Sequence, residues 1–421
     1  MAEPAAPAAE PPATNGDGIF PAPDAAGQLV AAIAQAETVS AGRAYPLPYT
    51  AQLLNALDEI ALYDRQIRLW GLEAQNRIRN ANILLVSIKA LANEIAKNLV
   101  LAGIGSITLA DHENVTEDDL GAQFFVSEAD IGKNRAEAAA PEVQKLNPRV
   151  KVNVITRDIG QEMDPEFYKP FDMIIATDLN FTILANMDSC ARVAGRPFYA
   201  GASHGMYGYI FADLGTHEFV VERMEGRKTE LKPETATRSI IDVKFKKENG
   251  KNIELVTKRE LYTPLLLAAS SPLAPELQNN ARKLKKVHPL LTCIRTLWEW
   301  QRQGRGDEPA HKPFDLGLFT ASASDRHKEL FLPSETLTSD FLKSFLSNLG
   351  SELAPVTAYL GGQLAQDVIN VLGKREQPIQ NLMLFDGEDC SGQVYALHPI
   401  FPNDPIPPII PIPVEAPIVL A

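Results

Sequence analysis

The sequence predicts an α/β protein with a doubly wound, mainly parallel sheet, and three observations carry that prediction. Short apolar or β-branched runs recur at 83–86, 107–110, 151–155 and 173–176. Helical patterns at 93–102 and 134–146 alternate with them, as crossover helices between parallel strands require. The first strand also turns directly into a helix ending at Gly103, the strand-turn-helix frame in which dinucleotide-type sites are built.

The turn in that frame is the most informative stretch. Val86-Ser87-Ile88-Lys89-Ala90-Leu91-Ala92-Asn93 stands where a phosphate-cradling loop is expected and contains no glycine. Glycines there permit a tight turn, close approach of backbone to phosphate, and close packing of helix on strand. Ser87, Lys89 and Ala92 occupy those three places, and a Cβ at each is expected to obstruct both a positive φ and the close approach. No nucleotide is expected on this loop. A nicotinamide-dependent dehydrogenase is disfavoured for the same reason, with Lys89 in the central glycine's place.

Composition narrows the remaining classes. A chain of 421 residues with 45% apolar content builds one large or two ordinary cores. The net charge of -13 argues against a nucleic-acid surface, which needs clustered Lys and Arg. No apolar run approaches the ~18 residues of a membrane span, and no basic start followed by an apolar stretch opens the chain. Cys190, Cys293 and Cys390 are odd in number and widely separated, which fits a reducing compartment and leaves no Cys-x-x-Cys zinc pair.

Along the chain, residues 1–45 are rich in Ala, Pro and Gly and read as a disordered tail. Residues 46–222 hold the alternating pattern, through strand-like runs at 198–201 and 208–212. Alternation then stops, and 223–345 reads as an inserted hairpin and helical region. Asn249-Gly250 between alternating runs marks the hairpin, 275–303 reads as helical with Trp298 and Trp300 as packing anchors, and a polar linker follows. Residues 346–398 supply a helix from 357 to 372 stopped by Gly373, then a strand at 382–385 that returns to the first sheet. Residues 399–421 form a Pro-rich tail.

Tyr63-Asp64-Arg65-Gln66-Ile67-Arg68-Leu69-Trp70-Gly71, continued by Leu72-Glu73-Ala74-Gln75, resembles the regulatory, smaller-subunit family of heterodimeric SUMO-activating enzymes. The likeness continues through Asp111-His112-Glu113, Gly132-Lys133-Asn134-Arg135, Leu146-Asn147-Pro148, Leu353-Ala354-Pro355-Val356 and Phe385-Asp386-Gly387, and is loose over 225–345. It implies a Rossmann-like adenylation fold of the ThiF/MoeB type and a partner, the catalytic subunit, whose site alone holds ATP and Mg²⁺. It also implies SUMO as the activated protein and a location in nucleus and cytoplasm. The corresponding subunit of the NEDD8-activating enzyme is the nearest alternative. A non-catalytic Rossmann-like scaffold is another, and homodimeric enzymes that adenylate sulfur carriers need an intact glycine loop.

The same resemblance implies a trans-acting role for Arg65, reaching into the partner's ATP site, with Arg68 a weaker candidate. The local alternative for Arg65 is a surface pair with Asp64 or Glu73. Asp119-Leu120-Gly121-Ala122-Gln123 stands where active halves carry Asn-Leu-x-Arg-Gln, and Arg135 replaces an expected lysine. Asp178 coincides with a Mg²⁺-coordinating aspartate of active halves, although Leu179 and Asn180 depart from its usual surroundings. Asp111 stands at a strand end where ribose-binding acids occur, and a structural role is expected for it. Cys190 reads as helical core, and Ser203-His204 as packing or a loop hydrogen bond rather than a triad. Gly361-Gly362 within a helix predicts close approach of another backbone, at the partner interface.

Overall fold

Asn82-Ile83-Leu84-Leu85-Val86 forms β1 (Asn82–Val86), in which four of five side chains are buried. It is flanked in parallel by β2 (Ser106–Ala110) and β4 (Met173–Thr177), so both its faces need apolar cover. β3 (Lys151–Ile155) and β5 (Phe198–His204) extend the parallel part to the order β3-β2-β1-β4-β5. Three antiparallel strands complete the sheet beyond β5: β6 (Tyr207–Asp213), β10 (Leu382–Asp386) and β11 (Ser391–Tyr395). A separate antiparallel sheet joins β7 (Thr216–Met224), β8 (Arg238–Glu248) and β9 (Lys251–Leu261) in the order β7-β9-β8. Glu248 pairs with Lys251 across the expected Asn-Gly hairpin, whose two turn residues lie outside those described.

The structure is a computed structural model that describes residues 61–224, 229–248, 251–307, 309 and 312–399, so both expected tails lie outside it. Two units divide at Leu72 and Glu73. The described part of the first contains α1 (Asp64–Trp70) and the start of α2 (Leu72–Asn80). The second contains both sheets, with α3 (Ala90–Ala102), α4 (Arg135–Leu146) and α5 (Phe181–Val193) as crossover helices. It continues with α6 (Leu290–Arg302), α7 (Pro313–Glu329), α8 (Ser339–Asn348) and α9 (Ala354–Gly373). Gly103 ends α3 in the left-handed conformation at φ 81°, returning its N–H to the Leu99 and Val100 carbonyls.

Trp298 and Trp300 anchor the core as expected. Trp298 stacks on Phe181 with centroids 5.5 Å apart and meets Tyr209 edge-on at 5.2 Å. Helices α6, α7 and α8 contribute to the same apolar cluster as the faces of β5 and β6. The stretch 275–303 is not one helix. Two single turns, Pro275–Gln278 and Ala281–Leu284, precede α6, which begins after Pro289. Helix α9 runs one residue past the expected stop, with Lys374 rather than Gly373 in the left-handed cap at φ 52°.

The glycine pair of α9 needs a correction. A Cβ on Gly361 would sit 2.5 Å from the Glu94 Cβ on α3, so its close approach is to this chain's own helix. Gly361 lets α9 pack on α3, whereas a Cβ on Gly362 would meet nothing within 4 Å. The approach that the pair predicted is therefore internal at Gly361 and not a partner contact.

Candidate functional site

The parallel strands deliver four residues to one place. Ser87 follows β1, Asp111 follows β2, Asp178 follows β4, and Ser203 lies near the end of β5. Strand order reverses between β1 and β4, and crevices form at the carboxyl ends of strands on either side of such a point. A cleft of about 900 Å³ opens there, lined by all four residues together with Lys89 and Glu352. Eight carboxylates line it, against three Lys or Arg side chains.

Ser87 corrects one expectation. It adopts φ 65° without being glycine. Its N–H donates to the Ala110 carbonyl at 2.9 Å, and its carbonyl accepts from Thr177 Oγ1 at 2.9 Å. The turn is over-determined by its neighbours, so a small polar residue tolerates the left-handed region. Lys89 is extended at φ -86° and ψ -169°, and Ala92 lies inside the first turn of α3, so the other two places need no positive φ.

The donors that would face a phosphate are already in use. The Ile88 N–H donates to Asp111 Oδ2 at 2.7 Å, and the Ala90 N–H, at the start of α3, donates to Glu352 Oε1 at 3.0 Å. A carboxylate at a helix N-terminus meets both the free N–H groups and the positive end of the dipole. Two acids of the chain thus hold the positions that a phosphate would take in a glycine loop.

Asp111 is also held by Arg135, whose Nη1 lies 2.8 Å from Asp111 Oδ2 and 3.0 Å from Glu113 Oε2. Asp119 lies 3.4 Å from Arg135 Nη2 and accepts from Gln123 Nε2 at 2.5 Å. Burial lowers the proton affinity of the Arg135 guanidinium, but Asp111, Asp119 and Glu113 outweigh it and hold the pKa above the ordinary value. Asp111 is therefore part of a closed ionic network, and the segment 118–121 folds as a single 3₁₀ turn within it.

Asp178 sits at φ 50° with its N–H on the Gly201 carbonyl at 2.8 Å. Its Oδ1 accepts the Ser203 N–H at 2.9 Å, and its buried Oδ2 has no partner. Burial and the nearby Glu352 charge push its carboxyl up to about 7, against the Ser203 hydrogen bond and the Lys89 charge. His204 lies at the edge of Phe345, and burial pulls it down to about 4, while Ser203 Oγ has no hydrogen-bond partner. Among the described residues, the grouping of three metal-ligating side chains is His288, Asp386 and Asp389, which does not include Asp178.

In the first unit, Arg65 is exposed on α1 and has no hydrogen-bond or ion-pair partner among the described residues. Its two expected local partners are engaged elsewhere: Asp64 pairs with Arg68 at 2.9 Å and Glu73 with Arg77 at 2.6 Å. Leu69, 74% exposed, lies four residues along α1 on the Arg65 face, and Leu62, 60% exposed, precedes the helix. Cys190 and Cys293 are buried, and burial raises both thiols, whereas Cys390 is exposed after β10. No described helix is long and apolar enough to cross a membrane.

Glu352 escaped sequence reasoning. It precedes α9 and reaches a helix start 262 residues earlier, and no local pattern announces such a contact. A carboxylate two residues before α9 reads, from sequence, as an acid near that helix's own N-terminus.

A crevice at the switch point of a mainly parallel, doubly wound sheet defines a Rossmann-like α/β protein. The model of the ThiF family matches residues 63–403, and the chain belongs to that family. It is 37% identical over 345 residues to SUMO-activating enzyme subunit 1 of Rattus norvegicus, covering 81% of this chain and 95% of the relative. The Homo sapiens protein of that name is 36% identical over 81% of this chain and 96% of its own. DNA damage tolerance protein RHC31 of Saccharomyces cerevisiae is 36% identical over 78% and 94%.

Proposed function

We propose that this chain is the regulatory subunit of a heterodimeric SUMO-activating enzyme, pairing with a catalytic subunit that holds ATP and Mg²⁺ and forms the thioester. The similarity to proteins named SUMO-activating enzyme subunit 1, over nearly their whole length, supports the SUMO route over the NEDD8 one. The observation that carries the division of labour is the commitment of the Ile88 and Ala90 amides to Asp111 and Glu352. A triphosphate would have to displace two carboxylates and enter a cleft rich in negative charge, so the residues present do not fit Mg-ATP. The raised thiols of Cys190 and Cys293 are the reverse of an activated nucleophile.

Arg65 suits a role at the partner's site. Attack of a carboxylate on the α-phosphorus develops negative charge there and on the departing pyrophosphate. A guanidinium with no partner among the described residues can meet that charge with two directed donors. The exposed Leu69 on the same helical face supplies apolar area for docking.

The test is ATP:pyrophosphate exchange with SUMO, for this chain alone, the catalytic subunit alone, the mixture, and the mixture with Arg65→Ala. Exchange is expected only in the mixtures, at least tenfold lower with Arg65→Ala while heterodimer formation is unchanged. Exchange by this chain alone would overturn the reading, and an undiminished mutant complex would reduce Arg65 to a surface residue.

A further inference from the structure

The cleft contains a second set of groups that the proposed function does not use. Asp178 Oδ2 and Ser203 Oγ are each buried without a hydrogen-bond partner, and both residues line the cleft. Ser203 is only 4% exposed. A native structure rarely leaves such atoms unpaired, because each has given up its hydration without a replacement. Two unpaired oxygens lining one cavity point to an occupant that donates hydrogen bonds.

Charge selects the kind of occupant. Neither Asp178 nor Glu352 has a Lys, Arg or His nitrogen within 4 Å among the described residues, although each repels the other. Glu352 spends Oε1 on the Ala90 N–H and Oε2 on Gln123 Nε2 at 3.3 Å, both neutral donors. The cations of the cleft are placed elsewhere: Arg135 is consumed by Asp111, Glu113 and Asp119, and Arg157 by Glu162 at 2.7 Å. Lys89 is left to offset the pair. An anion would add to the repulsion, and a neutral ligand would leave it unrelieved.

We propose that the cleft binds a small linear polyamine, one of whose primary ammonium groups is held by Asp178 Oδ2, Ser203 Oγ and the Glu352 carboxylate. Three acceptors match the three N–H donors of an ammonium. The remaining ammonium groups lie along the acidic wall formed by Asp118, Asp158 and Asp307, which also line the cleft. A volume of about 900 Å³ accommodates a chain of that size with its water. The inference rests on reading this cleft as one that holds no nucleotide.

The probe is spermidine, titrated calorimetrically into the full-length chain at pH 8 and low salt, with Mg²⁺ and Mg-ATP titrated separately. One spermidine per chain is expected. Asp178→Asn should weaken uptake at least tenfold and Ser203→Ala several-fold, with unchanged circular dichroism spectra. Butylamine, with one charge, should bind at least tenfold more weakly than spermidine. Absence of saturable uptake, equal affinity in Asp178→Asn, or tighter uptake of Mg²⁺ lost in the same variant would each overturn the proposal. Failure with spermidine but no uptake of Mg-ATP leaves the regulatory-subunit reading intact, whereas uptake of Mg-ATP by this chain alone would contradict that reading itself.

Discussion

Arg135 and Arg65 present the same guanidinium in opposite settings. Arg135 is 3% exposed and neutralises a cluster of three carboxylates, while Arg65 is exposed with no partner among the described residues. A buried arginine locked by acids holds a shape and has nothing left to offer a substrate. An uncommitted one is free to work on another molecule. On the proposed function, the contrast puts the architectural charge of this chain in its cleft and the arginine offered to the partner on α1.

The largest expected effect comes from separating the two. Arg135→Ala should destabilise the fold by about 3–5 kcal/mol, because the buried Asp111 and Asp119 lose the buried cation that pairs with them. Arg65→Ala should leave stability within about 0.5 kcal/mol. Denaturant titration of both variants, read beside pyrophosphate exchange, breaks the comparison if Arg65→Ala unfolds the chain or Arg135→Ala leaves it as stable as the parent. Arg65→Lys sharpens it: the charge remains but the planar fork is lost, so exchange should fall between the parent and the alanine variant.

Asp178 gives the next effect, with a sign fixed by its proton affinity. Its carboxyl is raised from 3.8 to about 7 in the fold, so its stabilising contribution is complete below pH 3.8 and lost as pH rises through 7. Asp178→Asn should therefore stabilise the protein at pH 8, by on the order of 2–4 kcal/mol, and have little effect near pH 4. His204 runs the other way. Lowered to about 4 from 6.5, it contributes stability above pH 6.5 that is lost as pH falls towards 4. His204→Phe should flatten the acid limb of the stability profile, and a limb unchanged in slope would contradict that assignment.

The smallest effects separate the two glycines of α9. Gly361→Ala forces a Cβ against Glu94 and should cost about 1–3 kcal/mol. Gly362→Ala adds a Cβ in open space and should gain up to about 1 kcal/mol of helix propensity. Loss of partner binding with Gly362→Ala, at unchanged stability, would return that position to an interface.

The sheet was legible in the sequence because β1, β2 and β4 are short apolar runs buried on both faces, and their pattern is dictated by that burial. Helices α7 and α8 were not, since 313–348 mixes Gly, Ser and Asp with scattered apolar residues and follows a linker-like stretch. In the site, the absent glycines were visible but their consequence was only half derived. Ser87 takes the positive φ regardless, held by Ala110 and Thr177. One of the two acids on the loop's amides is Glu352, brought from the far end of the chain by the packing of α9 on α3, a contact written in tertiary geometry alone.

The most direct test is the number of nucleotides held by the assembled enzyme. Equilibrium dialysis of Mg-ATP against the heterodimer of this chain with its catalytic partner should give one site per heterodimer, and none for this chain alone. Two sites, or uptake by the isolated chain that Ala90 and Ile88 would have to support, would contradict a division in which this half supplies Arg65 and its partner supplies the nucleotide.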